Sequence, residues 1–321
     1  MRKMLPGFTR SLWLVVGFGC VTGPALADKL PRDWLGQMGA AVQSTSYEGT
    51  VIRIKDGSAE ALKVVHTVKD GVIMEKVVAQ EGNGLEIIRN GNEVHCILPD
   101  RKSVLVEEWN DQSTLFSTLP SSDIRFGNEY DVAIVRKDRV AGRDAIMLAI
   151  RPHDDYRYGH RIWLDTETSF PLQTQLISEG IAIEQVKFAD IMLNHEIHAS
   201  ALEPSYSTEN FTWLRQPSGH QGTVVETSWI SDELPIGFHA VSTHEETMQD
   251  SEEVVTHILF SDGLANVSVF IAANSGKQAL GSARVGGSNS YGVELGDFAI
   301  TAIGEVPAMT VEQIATSMRQ P

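Results

Sequence analysis

From Tyr47 onward, apolar and polar positions alternate in short runs: GTVIRIKDG, ALKVVHTVKDG, GLEIIRNGNEVHCILPD and KSVLVEE. A period of two is the signature of strands with one buried face. The runs are divided by Asp56-Gly57, Asp70-Gly71, Asn90-Gly91 and Pro99-Asp100, pairs that favour tight turns, so consecutive strands pair as an antiparallel meander. The alternation resumes after a looser segment, 109–128, as YDVAIVRKD, DAIMLAIRP, GHRIWLD, PLQTQLIS and IAIEQVKFADIML. Leu115, Phe116 and Leu119 make that segment an apolar cover, helical or looped, rather than a tether. Helical spacing appears at two places. In LPRDWLGQMGAAVQS, residues 30–44, Asp33 is placed to cap and Trp34, Leu35, Met38, Ala41 and Val42 share a face. Near the C-terminus Thr310 starts a second helix, with Gln313 spaced for a capping box and Val311, Ile314 and Met318 on one side.

These elements predict an α+β fold in two domains. A curved antiparallel sheet, a half-open barrel enclosing helices, occupies residues 28–202. Residues 203–223 carry prolines, serines and glycines with little periodicity and read as a linker, although Trp213 and Leu214 suit a docked segment better than a free one. Residues 224–321 form a smaller antiparallel sheet with the C-terminal helix, interrupted by an irregular Gly/Ser stretch that reads as a mobile loop.

Residues 1–27 change the picture of the whole chain. Arg2, Lys3 and Arg10 precede the apolar run Leu12–Val16, and Ala25-Leu26-Ala27 is a small-x-small cleavage site, so the segment reads as a secretory signal. The alternative, lipidation at Cys20, has a poor recognition box in Gly17-Phe18-Gly19. Cleavage after Ala27 takes the charge balance from 26 basic and 42 acidic residues to 23 and 42. So acidic a chain is a poor general ligand for nucleic acid, whose phosphates are bound mainly by Lys and Arg. One cysteine, Cys96, remains, which excludes an internal disulfide and leaves stability to apolar cores; it reads as a buried thiol.

Catalytic chemistry finds no support. His195 and His198 are three apart and follow a strand, whereas a zinc-protease helix needs histidines four apart. Gly286–Gly292 lacks the G-x-S-x-G spacing of a nucleophile elbow, and Asn274–Lys277 lacks the upstream glycine of a phosphate loop. No metal, cofactor or enzymatic activity is expected. One charge feature stands out: Arg136, Lys137, Arg139, Arg143, Arg151, Arg157 and Arg161 outnumber the acids among them in an otherwise acidic chain. Alternate residues of a strand share a face, so several of these guanidinium groups can converge on phosphate or carboxylate, unless they form an ordinary solvated face. His153 and His160 add charge there in mild acid.

The order of these features resembles the RseB/MucB family, periplasmic negative regulators of an envelope-stress sigma factor. The resemblance covers the whole exported chain and is carried by WLGQMGAAVQSTSYEGT, NGNEVHCILPD, RYGHRIWLDTETSFPLQTQLI, LPIGFHAV, LFSDGLANVSVFI and ITAIGEVP. GHRIWLDTETSFPLQTQLI is also similar to the strand-turn-strand of the lipoprotein carriers LolA and LolB. The resemblance implies a periplasmic protein that grips the periplasmic segment of a single-span anti-sigma factor of the RseA/MucA kind. It would shield that segment from a DegS-type site-1 protease and release it to lipopolysaccharide or lipid A. Trp213, Leu214, Ser261, Asp262, Gly263, Leu264 and Arg284 are the expected peptide-binding residues. Trp34, Leu35, Met38, Arg151, Arg157, Arg161 and Trp163 are the expected lipid-binding residues, with acyl chains inside the half-barrel. Homodimerisation is compatible with this reading, and the alternative function is a lipid or lipoprotein carrier.

Overall fold

The computed structural model describes residues 29–108, 115–116, 119, 127–215, 223–247, 254–276 and 278–320. The expected leader, most of the expected cover at 109–128 and linker residues 216–222 lie outside the described residues. Helix α1 (Pro31–Ser44) comes first. Pro31 presets the helical φ in the first turn, where its missing N–H costs nothing. Asp33 therefore sits within the first turn and accepts the Leu30 N–H at 3.2 Å, instead of preceding the helix as its cap.

Eleven strands follow: β1 (Tyr47–Lys55), β2 (Ser58–Lys69), β3 (Val72–Ala79), β4 (Glu86–Asn90), β5 (Glu93–Leu98), β6 (Ser103–Glu108), β7 (Tyr130–Val140), β8 (Arg143–Pro152), β9 (Gly159–Asp165), β10 (Pro171–Ser178) and β11 (Ile181–Leu193). The expected turns hold the hairpins. Asp56 and Gly57 have φ of 51° and 73°, the two successive positive values that match a two-residue loop to strand twist. With β12 (Thr212–Arg215) they make one twelve-stranded sheet in the order β12-β6-β5-β4-β3-β2-β1-β11-β10-β9-β8-β7.

The sheet is mixed, not wholly antiparallel as expected: β12 runs parallel to β6, pairing Thr212 with Ser103 and Arg215 with Val106. The cause lies in the segment between β11 and β12. It crosses back over β3 and β4, where fully buried Glu86 accepts the Ser205 N–H at 2.9 Å and its hydroxyl at 2.8 Å and pairs with Lys76 at 2.9 Å. Residues 203–215, expected as linker, thus lie on the large sheet. Among the described residues the large sheet carries one α-helix, so the several helices expected inside it are not seen there. Leu115, Phe116 and Leu119 do pack on the core, as the sequence requires.

Strand parity decides where each side chain goes. Ile146, Leu148 and Ile150 of β8 and Ile162 and Leu164 of β9 pack with Leu35 and Met38 of α1. The neighbours Met147, Ala149, Arg161 and Trp163, matched as Met147–Trp163 and Ala149–Arg161, point to the other face. On that face the outer strands curl until β7 touches β11, and the Trp163 indole donates to Asp138 of β7 at 2.8 Å.

The second domain contains β13 (Thr223–Val224), β14 (Ile230–Ser231), β15 (His239–Thr247), β16 (Val254–Ser261), β17 (Asn266–Ala273), β18 (Gly281–Val285), β19 (Ser288–Leu295), β20 (Phe298–Gly304), α2 (Ala308–Thr316) and β21 (Met318–Arg319). Seven strands form an antiparallel sheet, β13-β15-β16-β17-β20-β19-β18, on which α2 packs. Two expectations are corrected. The Gly/Ser stretch is the β18–β19 hairpin, hidden in sequence because its strands are built of small and polar residues. Helix α2 starts at Ala308, and Thr310 and Gln313 do not box its end: their side chains reach Tyr156 O at 2.7 Å and Glu233 O at 2.8 Å.

Candidate functional site

The bend between β8 and β9, residues 153–158, is the joint between the two domains. Three consecutive residues each hold the small domain. The Tyr156 carbonyl accepts the Thr310 hydroxyl, and the Tyr158 hydroxyl accepts the Asn289 amide at 3.0 Å. Between them Arg157 donates Nε to Asp262 Oδ2 at 2.5 Å, Nη1 to Asp154 and Nη2 to the Ile236 carbonyl. Tyr130 donates its hydroxyl to the same Asp262 oxygen at 2.8 Å. Burial alone would lower the Arg157 pKa, but the bonds to Asp262 and Asp154 outweigh it and hold the guanidinium firmly charged. The Tyr130 hydroxyl is pushed far up by burial, then by Asp262. The guanidinium also lies against the Phe238 ring, 5.0 Å from its centroid.

Asp262 belongs to the β16–β17 turn, whose shape is held by its own local hydrogen bonds. Asp262 Oδ1 accepts the N–H groups of Leu264 and Ala265 at 2.9 and 2.7 Å, and the Ser261 hydroxyl accepts the Gly263 N–H at 3.0 Å. Leu264 then packs against the α1 cluster. A second contact lies farther along the seam, where Glu184 of β11 accepts the Gly287 N–H at 2.5 Å and pairs with Lys55 at 3.1 Å. Burial, with Glu184 nearby, pushes Glu305 up to about 7.

Beside the joint lies a cavity of about 1130 Å³ on the Trp163 face of the curled strands. Arg136, Arg139, Arg151, Arg161 and Lys187 line it, with Asp138, Asp154, Trp163, Gln173 and Gln175, and Pro307 and Met309 of the small domain close one side. Asp138 is held down at about 2 by the Trp163 indole, the Arg139 N–H and Arg136. Burial pushes His160 down to about 4, so it stays neutral in the mild acid that was expected to charge it.

The expected residues separate accordingly. Arg151, Arg161 and Trp163 meet in the cavity. Leu35 and Met38 are buried on the opposite sheet face, and Trp34 lies half-buried beside Lys29, whose Nζ is 3.6 Å from the ring centroid. The helix therefore does not line the cavity, because β8 and β9 turn one parity toward it and the other away. Arg157 also borders the cavity, but its side chain is closed from solvent in the joint. Ser261, Asp262, Gly263 and Leu264 form the docked turn. Arg284 is in exposed β18, bonded to Gly286 O at 2.7 Å. Trp213 and Leu214, about half exposed at 50% and 49%, lie on β12 at the other end of the large sheet, Trp213 edge-on to His95. Tyr130, Tyr158 and Asn289 were not singled out from sequence, Thr310 was read only as a helix start and Asp154 only as one of the acids among the arginines, since nothing local marks a polar residue that will meet a domain a hundred positions away. Cys96 is half-buried, its thiol raised to about 11 by burial and by Glu107. No cluster of potential metal ligands occurs among the described residues.

Comparison with known proteins gives a consistent result. A profile of the MucB/RseB N-terminal domain matches residues 30–206, and one of the MucB/RseB C-terminal domain matches residues 223–319. The sigma factor AlgU regulatory protein MucB of Pseudomonas aeruginosa is 28% identical over 319 residues, 97% of each chain. The sigma-E factor regulatory protein RseB of Escherichia coli is 26% identical over 320 residues, 97% of this chain and 98% of that protein. A crystal structure of MucB in complex with MucA(peri) superposes with a TM-score of 0.66 at 27% identity, covering 91% of this chain and 99% of that one.

Proposed function

The chain belongs to the MucB/RseB family of sigma-factor regulatory proteins, which are not enzymes, and from that premise we propose that it binds the periplasmic segment of a single-span anti-sigma factor. The observation that carries this reading is the whole-chain fold match, across both domains, to a MucB seated on the periplasmic part of MucA. The regulator acts in the periplasm, delivered by the leader at residues 1–27, and the bound segment is sheltered from site-1 proteolysis. Ordering a peptide costs free energy, so a surface that spans two docked domains suits the task better than either alone. Trp213 and Leu214 on β12 and Arg284 on β18 remain available to the segment, whereas Ser261–Leu264 act by fixing the domains.

Release falls to an anionic lipid. Arg151, Arg161 and Lys187 converge on one cavity, and no ion pair among the described residues engages them. Such a wall suits the phosphorylated sugar head of lipid A by charge-assisted bonds. The acyl chains would stay outside it, since Leu35 and Met38 of α1 are on the other face. A carrier function has less support, because a carrier needs no second domain at the mouth of its cavity. Titration of the exported chain with an anti-sigma periplasmic segment tests the proposal. Saturable binding that protects the segment from a DegS-type protease is the expected result, and unprotected cleavage at saturating regulator would refute it.

A further inference from the structure

Asp154 faces two ways. Its carboxylate lines the cavity, with 31% of the side chain open, and it also holds one arm of Arg157, whose side chain is fully enclosed. The other two arms of that guanidinium grip the small domain at Asp262 and Ile236 O. We propose that Asp154, Arg157 and Asp262 form a relay of positioning residues through which an anion in the cavity loosens the docking of the small domain. The inference rests on the lipid-release reading and names the residues that transmit it.

The physics is electrostatic. A phosphate drawn in by Arg151 and Arg161 enters the field of Asp154, and two like charges at a partly desolvated wall repel. The phosphate does not reach the enclosed guanidinium of Arg157, so its effect on that group passes through Asp154, whose bond to Nη1 it perturbs. A guanidinium that loses one arm of a three-way grip is free to tilt in its enclosed site, and its single Nε bond to Asp262 weakens. Ligand that favours the loosened arrangement lowers affinity for anything that needs the two domains held in register, and the coupling is reciprocal. The cavity thus needs no contact with the peptide to release it.

Asp154→Asn separates a relay from a merely structural role, because two effects should move in opposite directions. It keeps the Asp154 Oδ1 bond to the Tyr156 N–H, 3.0 Å in the native chain, while removing the charge and the acceptor for Arg157 Nη1. The experiment uses the exported chain, an anti-sigma periplasmic segment, and three probes: a bis-phosphorylated glucosamine disaccharide, its phosphate-free form and inorganic phosphate. In the wild type the phosphorylated disaccharide should lower peptide affinity about tenfold, with the phosphate-free form inactive. Activity of inorganic phosphate alone would assign the response to phosphate rather than to a lipid head, and the relay expects it in either case. Asp154→Asn should bind the active probe more tightly yet lose less than about twofold in peptide affinity when saturated. In parallel, spin labels at Asp190→Cys and Glu294→Cys in a Cys96→Ser background report the distance between domains. Arg157→Lys, which cannot reach three acceptors, should show without ligand the distance shift that the wild type shows with it. A wild type indifferent to every probe overturns the lipid reading and the relay with it. A responsive wild type whose Asp154→Asn variant releases peptide equally well overturns the relay alone.

Discussion

Asp262 and Arg157 are both closed to water, so removing Arg157 strands Asp262 as a buried uncompensated charge, and removing Asp262 leaves the enclosed guanidinium with Asp154 as its one remaining carboxylate among the described residues, at a cost of about 3–5 kcal/mol. Asp262→Ala should therefore lower the free energy of unfolding in urea by about 3 kcal/mol. Arg151→Gln, at an exposed position on the cavity wall, should change it by less than about 0.5 kcal/mol while weakening capture of the phosphorylated disaccharide. The convergence of Arg151, Arg161 and Trp163 was legible because it follows from strand parity alone. The place of Arg157 was not: it lies in a bend, and its partners come from a domain whose docking no local pattern records. The same lack of a local signal placed Asp262 among peptide ligands, although its bonds to the Leu264 and Ala265 N–H groups are the ordinary work of an aspartate in a turn.

Among the elements, those with strong turn chemistry were legible and those without were not. Asp-Gly pairs and apolar alternation located β1 to β3, whereas β18 and β19, poor in apolar residues, looked like a loop. The parallel strand β12 escaped because its position depends on the crossing segment, which Glu86 anchors from inside the sheet. Glu86→Ala should free residues 203–215, and trypsin cleavage after Arg215 should accelerate several-fold while the core of the large domain survives. At Gly49 in β1 an added Cβ would collide with the Asp190 carbonyl of β11, a backbone atom that cannot swing aside. Gly49→Ala should cost about 1–3 kcal/mol in the same urea measurement.

For the whole molecule, the seam between the domains carries a pH dependence of its own. Glu305 titrates at about 7 when folded against a usual 4.5, so the folded protein holds a proton there that the unfolded chain gives up. Its contribution is complete below 4.5 and is lost as pH rises through 7, when ionised Glu305 faces Glu184 in a half-buried seam with Lys55 as the nearby cation. Between about pH 5 and pH 8, Glu305→Gln should lose less stability than the wild type, read as the shift of the urea midpoint. His160 acts in the opposite sense. Its lowered pKa contributes stability above 6.5 that is lost as pH falls toward 4, so the Glu305 effect is read as the difference between variant and wild type. Two docked domains, one polar cavity at their joint and exposed apolar side chains on both sheets describe a protein that works by holding another chain. Calorimetric titration of the exported protein with the periplasmic segment of a MucA-like anti-sigma factor tests that claim most directly. Binding with a dissociation constant of about 1 μM or tighter, weakened in Asp262→Asn, is the result this account predicts. Absence of binding at about 100 μM of segment, with the protein folded, would contradict it.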